Sequence, residues 1–408
     1  MPSSRPEMPN PGPDMQLEIY SSALTSAEPR LPIACEDWEA RARAALADGP
    51  YWYVAGGAGG GDTMRANLEA FKRRRILPLM PRDISGRDIG ITLFGARYPA
   101  PFLLAPVGVQ GILHADGELA TARAAASTGV PFILSNVSSF TMEQVAAAAS
   151  SAAASTVPMG DGPRWFQLYP GKNQEVIRST LARAESAAYS AIVVTLDVTM
   201  LGWREADLTT GYLPFLQAQG VANYFSDPAF RALLPKPPEE DPRSAVMLML
   251  SLFTNPRFTW DDVEWLKKTT RLPILLKGIL SPRDAAAAID HGADGIIVSN
   301  HGGRQVDGSI ASLDALPKVC DAVKDRVPVL LDSGIRRGPD VLKAIALCAT
   351  AVLLGRPFAY ALASDGEAGV RHVIRTLVAD IDLTLALSGR TSMEDIDDSF
   401  LAPEAGSR

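Results

Sequence analysis

The chain has 408 residues, 47% of them hydrophobic, which is enough for one large α/β barrel or two ordinary domains. Its net charge of −7, from 39 basic and 46 acidic residues, argues against a general nucleic-acid or anionic-membrane binder. Three scattered cysteines (Cys35, Cys320 and Cys348) form no C-x-x-C and no even framework, so a reducing, cytoplasmic setting fits them best.

Residues 1–30 hold many prolines and few apolar clusters and read as a flexible, poorly ordered arm. They contain no signal-peptide hydrophobic region. Residues 35–47 read as a helix with Glu36 and Asp37 near its start. Tyr51-Trp52-Tyr53 then leads into the glycine-rich stretch 56–61. No Gly-Lys-Ser/Thr closes that stretch and no strand precedes it, so it reads as a hinge after an aromatic cluster, not a nucleotide loop. Residues 63–71 read as a helix, followed by Lys72-Arg73-Arg74-Arg75.

From Pro101 the pattern repeats. Short apolar runs end in small or polar residues at 101–106, 131–136, 164–169, 191–197, 273–278, 295–300, 328–334 and 351–357. Helical stretches lie between them at 117–128, 174–187, 281–291, 312–324 and 338–348, two of which open with Ser281-Pro282 and Gly338-Pro339. Eight such units predict the α/β class and a (β/α)8 TIM barrel. An open doubly wound sheet would need Gly-x-Gly-x-x-Gly after its first strand, and Pro106-Val107-Gly108-Val109-Gln110-Gly111 is not that. The barrel domain is expected over 31–390, with a tail at 391–408. Residues 150–162 read as an Ala/Ser-rich loop. Residues from about 200 to 260 read as an insertion after the fourth strand, placed to cover a site. Its apolar run at 245–253 is too short to span a bilayer.

In a barrel the C-terminal strand ends converge, so their residues pool into one site. The sixth end carries Ser299-Asn300-His301-Gly302-Gly303-Arg304-Gln305. An imidazole there can take a proton from a hydroxyl. A guanidinium three residues on can grip a carboxylate in a planar fork. Together they suit a small 2-hydroxy acid. A lone His–Arg pair would more often be a backbone-bonded histidine and a surface cation; the other strand ends alter that balance. They offer Ala105 and Pro106, Ser135 and Asn136, Gln167 and Tyr169, Thr195 and Asp197, and Lys277. The seventh end adds Asp332, Ser333, Gly334 and Arg336, and the eighth Gly355 and Arg356.

The last two ends combine close backbone approach with two cations, where barrels most often hold a phosphate. Asp332 suits the hydroxyls of a polyol tail. Lys277, Gln167 and Thr195 suit a flat heterocycle whose reduced form is anionic. Each of these residues alone has an ordinary reading as a salt bridge or an interior polar layer. Their agreement on one ligand points to FMN. Asp197 is placed to bond the far nitrogen of His301 or to cap the next turn. Arg204 is a second carboxylate clamp or a loop partner of Glu205. The four histidines (His114, His291, His301 and His372) have no ligand-like spacing, and no metal is expected.

Over residues 35–390 the chain resembles the FMN-dependent 2-hydroxy-acid oxidase family. The residues that carry the resemblance are Ser299 to Gln305, Trp165-Phe166-Gln167-Leu168-Tyr169, Leu276-Lys277-Gly278, Asp332-Ser333-Gly334-Ile335-Arg336-Arg337-Gly338 and Gly355-Arg356-Pro357. It implies a catalytic base at His301 with Asp197 as its partner, a carboxylate pair in Arg304 and Arg204, and substrate contacts from Tyr53 and Tyr169. It implies Lys277 at flavin N1, and Ser135, Gln167, Thr195 and Ser299 around the flavin ring. Asp332, Arg336 and Arg356 would reach the ribityl and phosphate groups. A small 2-hydroxy acid and O2 are the implied reactants, in a homo-oligomer of four or eight copies without membrane or nucleic acid.

Within the family the chain looks most like the lactate 2-monooxygenase branch. The resemblance there lies in Pro50-Tyr51-Trp52-Tyr53-Val54-Ala55-Gly56-Gly57-Ala58-Gly59, Gly202-Trp203-Arg204 and the shape of residues 222–228. Gly108 adds to it, standing where many family oxidases have alanine. The implied products are acetate, CO2 and water, with release of keto acid and H2O2 as the alternative. Val137 stands where glycolate oxidase has a tryptophan, and Val107 and Met200 are expected at the pocket edge. A different FMN barrel enzyme, such as an isomerase, would lack the His–Gly–Gly–Arg arrangement. The intact site set argues against a non-catalytic flavin-binding barrel.

Overall fold

In the computed structural model the eight apolar runs form eight parallel strands: β1 (Phe102–Leu104), β2 (Phe132–Ser135), β3 (Arg164–Leu168), β4 (Ile192–Thr195), β5 (Ile274–Ile279), β6 (Gly295–Val298), β7 (Val329–Leu331) and β8 (Ala351–Leu354). Residues 10–25, 30–153 and 164–403 are described. The strands pair in sequence order and β8 closes on β1, with Val352 opposite Phe102. Nearly every strand residue is buried, as expected where helices cover the outside and side chains fill the inside. The register sets Ser135 beside Gln167 and Thr195 beside Lys277, so neighbouring strand ends present their polar residues together.

The five expected helices form at Gly117–Thr128, Gln174–Ser186, Pro282–Asp290, Ser312–Val323 and Gly338–Ala346. A further helix, Met142–Ala153, extends into the stretch expected to be an Ala/Ser loop. The remainder of that stretch, 154–162, lies outside the described residues. The last helix, Arg356–Leu387, breaks its helical geometry at Asp365 and Gly366.

Within the amino-terminal arm, residues 10–25 differ from expectation, and 1–9 and 26–29 lie outside the described residues. Pro11–Thr25 is a helix whose prolines fall in the first turn, where a missing N–H loses no bond. Its order comes from docking. The Gly12 N–H donates to buried Asp382 at 3.1 Å, Glu18 pairs with Arg375, and Met15 is buried. Leu17, Tyr20 and Leu24 face outward, so no apolar period marks the helix in the sequence. The carboxy-terminal segment also folds back. Ser392 and Leu401 bridge to Asp88 and Ile76, and Phe400 is fully buried.

The cysteine reading needs correction as well. Cys320 and Cys348 form a disulfide across 28 residues of sequence. The two helices that flank β7 both end on the face where the strands begin, which brings the two thiols together. Cys35 is free and buried, and burial pushes its thiol up to about 11.

The insertion folds as short helices at Glu205–Thr210, Ala222–Phe225, Pro228–Arg231 and Pro242–Phe253, with a 3-10 turn at Pro214–Gln217. They build a second hydrophobic core over the strand C-termini. Phe215, Phe230, Met249 and Phe253 pack there with Val109, Val137 and Val198 from the strand-end loops. The apolar run at 245–253 therefore faces protein. No helix among the described residues is long and apolar enough to cross a membrane. Fully buried Asp227 caps Pro228–Arg231 and meets Arg183 at 3.2 Å, tying the insertion to the barrel helix Gln174–Ser186.

Candidate active site

The chain climbs out of β6 into three successive left-handed residues, His301, Gly302 and Gly303, with φ of 58°, 64° and 74°. A side chain at Gly303 would strike the Met64 backbone nitrogen at 2.7 Å, so the close turn needs glycine. His301 pays for this left-handed backbone with local bonds: its N–H donates to Ser299 Oγ at 3.0 Å. The neighbouring Gly302 N–H donates to Ser333 Oγ at 2.9 Å, and that hydroxyl donates to Asp332.

His301 Nδ1 lies 2.8 Å from Asp197 Oδ1, so Asp197 partners the imidazole and does not cap a turn. That contact fixes the tautomer and leaves Nε2 for substrate. Burial, with the positive charges of Lys277 and Arg204, pulls the His301 pKa down, against the raising pull of Asp197. For Asp197, burial pushes up, but His301 and Lys277 outweigh it and hold the carboxyl below its usual range. The pair at neutral pH is thus a neutral imidazole against a carboxylate, which is the state a general base needs.

Arg304 donates to the Gly56 carbonyl at 2.9 Å and lies 5.6 Å from the Tyr53 ring centroid. Arg356 donates to the carbonyls of Val54 and Gly56, so two guanidiniums cap the carboxy end of the helix Asp48–Ala55. The glycine-rich stretch is docked and not a free hinge. The Ala58 N–H meets Gly303 O at 2.8 Å, and the Gly59 N–H meets Trp203 O at 2.9 Å. Arg204 donates to Arg304 O and to Gln305 Oε1, while Gln305 Nε2 holds the carbonyls of Asp197 and Met200. Its acidic neighbour is Asp207, at 3.8 Å, and not Glu205. Burial, and then the charges of Arg204 and Arg356, pulls the Arg304 pKa below its ordinary value. It stays a cation at neutral pH and gains from an anion beside it.

One cavity joins these groups, with about 1120 Å³ of empty space including its open mouth. Tyr53, Tyr169, Arg204, Arg304, His301, Ala105, Pro106, Lys277, Asp332, Ser333, Gly334, Arg336, Gly355 and Arg356 all line it. Asp197, Ser135, Gln167, Thr195 and Ser299 do not line it; the last four stand behind it, buried, and Asp197 is half-buried beside His301. Met200 is exposed and Leu201 lines the cavity in its place. Val107, Val137, Leu213, Phe215 and Phe253 supply an apolar wall, and no motif or spacing marks the last three for it. Glu118 was also missed. Its buried carboxylate accepts from the N–H groups of Gln110 and Ser139, joining the loops after β1 and β2. Only the folded loops reveal it, because Glu118 otherwise reads as an ordinary helix residue.

The donor set fits FMN. Gln167 Nε2 and Thr195 Oγ1 are buried without a protein partner, as donors reserved for a heterocycle would be. Lys277 Nζ reaches Ser299 Oγ at 2.8 Å and Asp332 at 3.0 Å. Burial pulls its amine down, but Asp332 and Asp197 more than offset this and keep it charged. Arg336 and Arg356 project into the same cavity, where a phosphate would sit. Gly108 faces Val137 so closely that a methyl group there would lie 2.7 Å from Val137 Cγ2 and 2.9 Å from its carbonyl. That carbonyl is held by the Val109 N–H at 2.8 Å, so the backbone resists the shift an alanine would need. Among the described residues no group of three or more His, Cys, Asp and Glu is arranged for a metal ion.

A closed parallel barrel with a histidine–carboxylate pair, an arginine pair and a flavin-type donor set defines a flavin-dependent oxidoreductase of 2-hydroxy acids. The chain belongs to the FMN-dependent dehydrogenase family, which it matches over residues 42–403. It is 46% identical over 371 residues to the L-lactate oxidase of Lysinibacillus sphaericus, covering 91% of this chain and 93% of that protein. It is 38% identical over 369 residues to glycolate oxidase 1 of Oryza sativa subsp. indica, covering 90% and 95%. Among solved structures, a mandelate oxidase with (S)-4-hydroxymandelic acid superposes with a TM-score of 0.79 at 37% identity, covering 91% of this chain and 98% of that one.

Proposed function

We propose that this chain oxidises an (S)-2-hydroxy monocarboxylic acid with an apolar side chain, L-lactate first, and passes the electrons to O2. The observation that carries this reading is His301, backed by Asp197 at 2.8 Å, sharing one cavity with Arg204 and Arg304. Arg304 and Arg204 take the substrate carboxylate, and Tyr53 and Tyr169 flank it. His301 Nε2 then faces the C2 carbon and its hydroxyl, and takes the proton. Asp197 holds the imidazole in orientation and balances the imidazolium that forms. FMN supplies the two-electron acceptor. Lys277 keeps a positive charge where reduction adds negative charge. The apolar wall of Val137, Leu213, Phe215 and Phe253 excludes water and suits a methyl or larger side chain. The similarity to an L-lactate oxidase supports lactate.

A second reading, oxidative decarboxylation to acetate, CO2 and water, is favoured by the insertion. Phe215 and Phe253 roof the cavity, so the keto acid stays in place to meet H2O2 formed beside it. One experiment tests both. The yellow protein is mixed with L-lactate without oxygen, then air is admitted, and acetate, pyruvate and H2O2 are measured. Bleaching followed by pyruvate with equal H2O2 gives the oxidase. Acetate without H2O2 gives the decarboxylating reaction. No bleaching with L-lactate, but bleaching with a larger 2-hydroxy acid, would remove lactate as the substrate.

A further inference from the structure

Asp207 lies one turn after Arg204, on the short helix Glu205–Thr210 of the insertion. Glu205, Leu208, Thr209 and Thr210 on that helix are exposed. The Asp207 side chain turns inward and is only 15% exposed, with Oδ2 3.8 Å from Arg204 Nη1. That distance is too long for a hydrogen bond but short for two charges in a partly buried setting. The negative charge of Asp207 also acts on Arg304 and on Tyr53. The remaining bonds of the two arginines go to neutral acceptors: Arg304 to backbone carbonyls, and Arg204 to Arg304 O and Gln305 Oε1. Two other cations stand nearby. Lys277 faces Asp332 at 3.0 Å, and Arg356, whose charge also bears on Arg304, stands with Arg336 on the phosphate side.

We propose that Asp207 sets the charge capacity of the arginine pair, making it a net single positive site that accepts monocarboxylates and disfavours dianions. Two guanidiniums and the Asp207 carboxylate, whose pKa burial raises against the pull of Arg304 and Arg204, leave one positive charge at the clamp, while Lys277 stands against Asp332 and Asp197. A substrate monoanion neutralises it. A dianion overshoots and places an unmatched negative charge in a buried pocket, which is costly. Asp207 touches neither the reacting carbon nor the proton in transit, so it is a specificity-determining neighbour of the clamp and not a catalytic residue. The inference rests on the reading that Arg204 and Arg304 hold the substrate carboxylate.

The test uses two anions of nearly equal size, oxamate with one negative charge and oxalate with two. Their binding to the FMN-loaded protein is measured by calorimetry and by competition with L-lactate, for the wild type, Asp207→Asn and Asp207→Glu. Asp207→Asn is expected to tighten oxalate relative to oxamate by about tenfold or more, because one opposing charge has gone. Asp207→Glu is expected to keep the wild-type ratio. An unchanged ratio, or equal weakening of both anions, would show that Asp207 only supports the loop and would overturn the proposal. Failure of both anions to compete with L-lactate in the wild type would instead overturn the clamp assignment itself. Asp207→Ser makes the same charge change if the asparagine variant loses FMN. Loss of FMN in both would make Asp207 a structural residue, and the proposal would fall.

Discussion

In the proposed reaction His301 and Asp197 divide one task between a proton acceptor and the charge that steadies it. Replacing His301 with Gln keeps a polar side chain of similar reach but removes the base. Such a variant is expected to stay yellow, with flavin reduction by substrate slowed about 10²–10⁴-fold. Anaerobic stopped-flow bleaching reads this directly, and bleaching at the normal rate would take the role of base away from His301. Asp197→Asn tests the pair through pH. The Asp197 charge raises the His301 pKa against burial, Lys277 and Arg204. Its removal lets that pKa fall further, so the acid limb of kcat/KM moves to lower pH while the plateau drops. A limb that stays in place would belong to another group. His301 and Arg304 were legible in the sequence because the two glycines between them make chemical sense where backbone must turn tightly beside a ligand, whereas Asp197 could equally have capped the next turn. Asp207 was not legible. Glu205, next to Arg204, looked the better partner, and only the direction of a short helix turns one carboxylate inward and the other out.

The same divide between local pattern and assembled structure runs through the elements. The barrel strands were readable because each is a short apolar run between turn residues, and nearly all of their residues are buried. That the insertion covers the site was also readable from its place after a strand end, but what it packs against was not. Its helix Pro242–Phe253 carries an apolar run with no visible partner in sequence, since the partners come from Pro214–Gln217 and from loops after three strands. Phe253 is the link between this second core and the site, with its ring centroid 4.8 Å from that of Tyr169 and 6.0 Å from that of Phe215. Phe253→Ala would open space at the side-chain end of the pocket. The expected result is a shift in preference, with kcat/KM for (S)-mandelate rising over that for L-lactate by about tenfold, within the 1–3 kcal/mol that apolar pocket changes supply. An unchanged ratio, with both values lowered alike, would mean that Phe253 braces the lid and does not shape the pocket.

At the scale of the whole molecule, segments far apart in the sequence are held together by a few contacts that no local pattern announces. The Cys320–Cys348 disulfide is one, since its two cysteines lie in separate repeat units and meet only when β7 has been laid into the barrel. Asp382 is another. Its carboxylate is 2% exposed and accepts from Arg87 Nε at 2.7 Å, from Arg87 Nη2 at 3.1 Å and from the Gly12 N–H at 3.1 Å. One side chain on the last helix therefore fixes both the amino-terminal helix and the segment that leads into the barrel. Asp382→Ala would leave the Arg87 guanidinium buried without its anion, a loss of about 3–5 kcal/mol for a pair of this kind. The cost should fall first on the docked helix Pro11–Thr25, whose outward face holds nothing in place, and not on the barrel, whose strands close on one another. Limited proteolysis is expected to cut that helix faster in the variant, while flavin bleaching by substrate proceeds at the normal rate. Equal proteolysis would show that Arg375 with Glu18 and the burial of Met15 suffice to dock the helix. Loss of FMN together with the helix would show that the amino terminus and the barrel fold as one cooperative unit, with Asp382 at their joint.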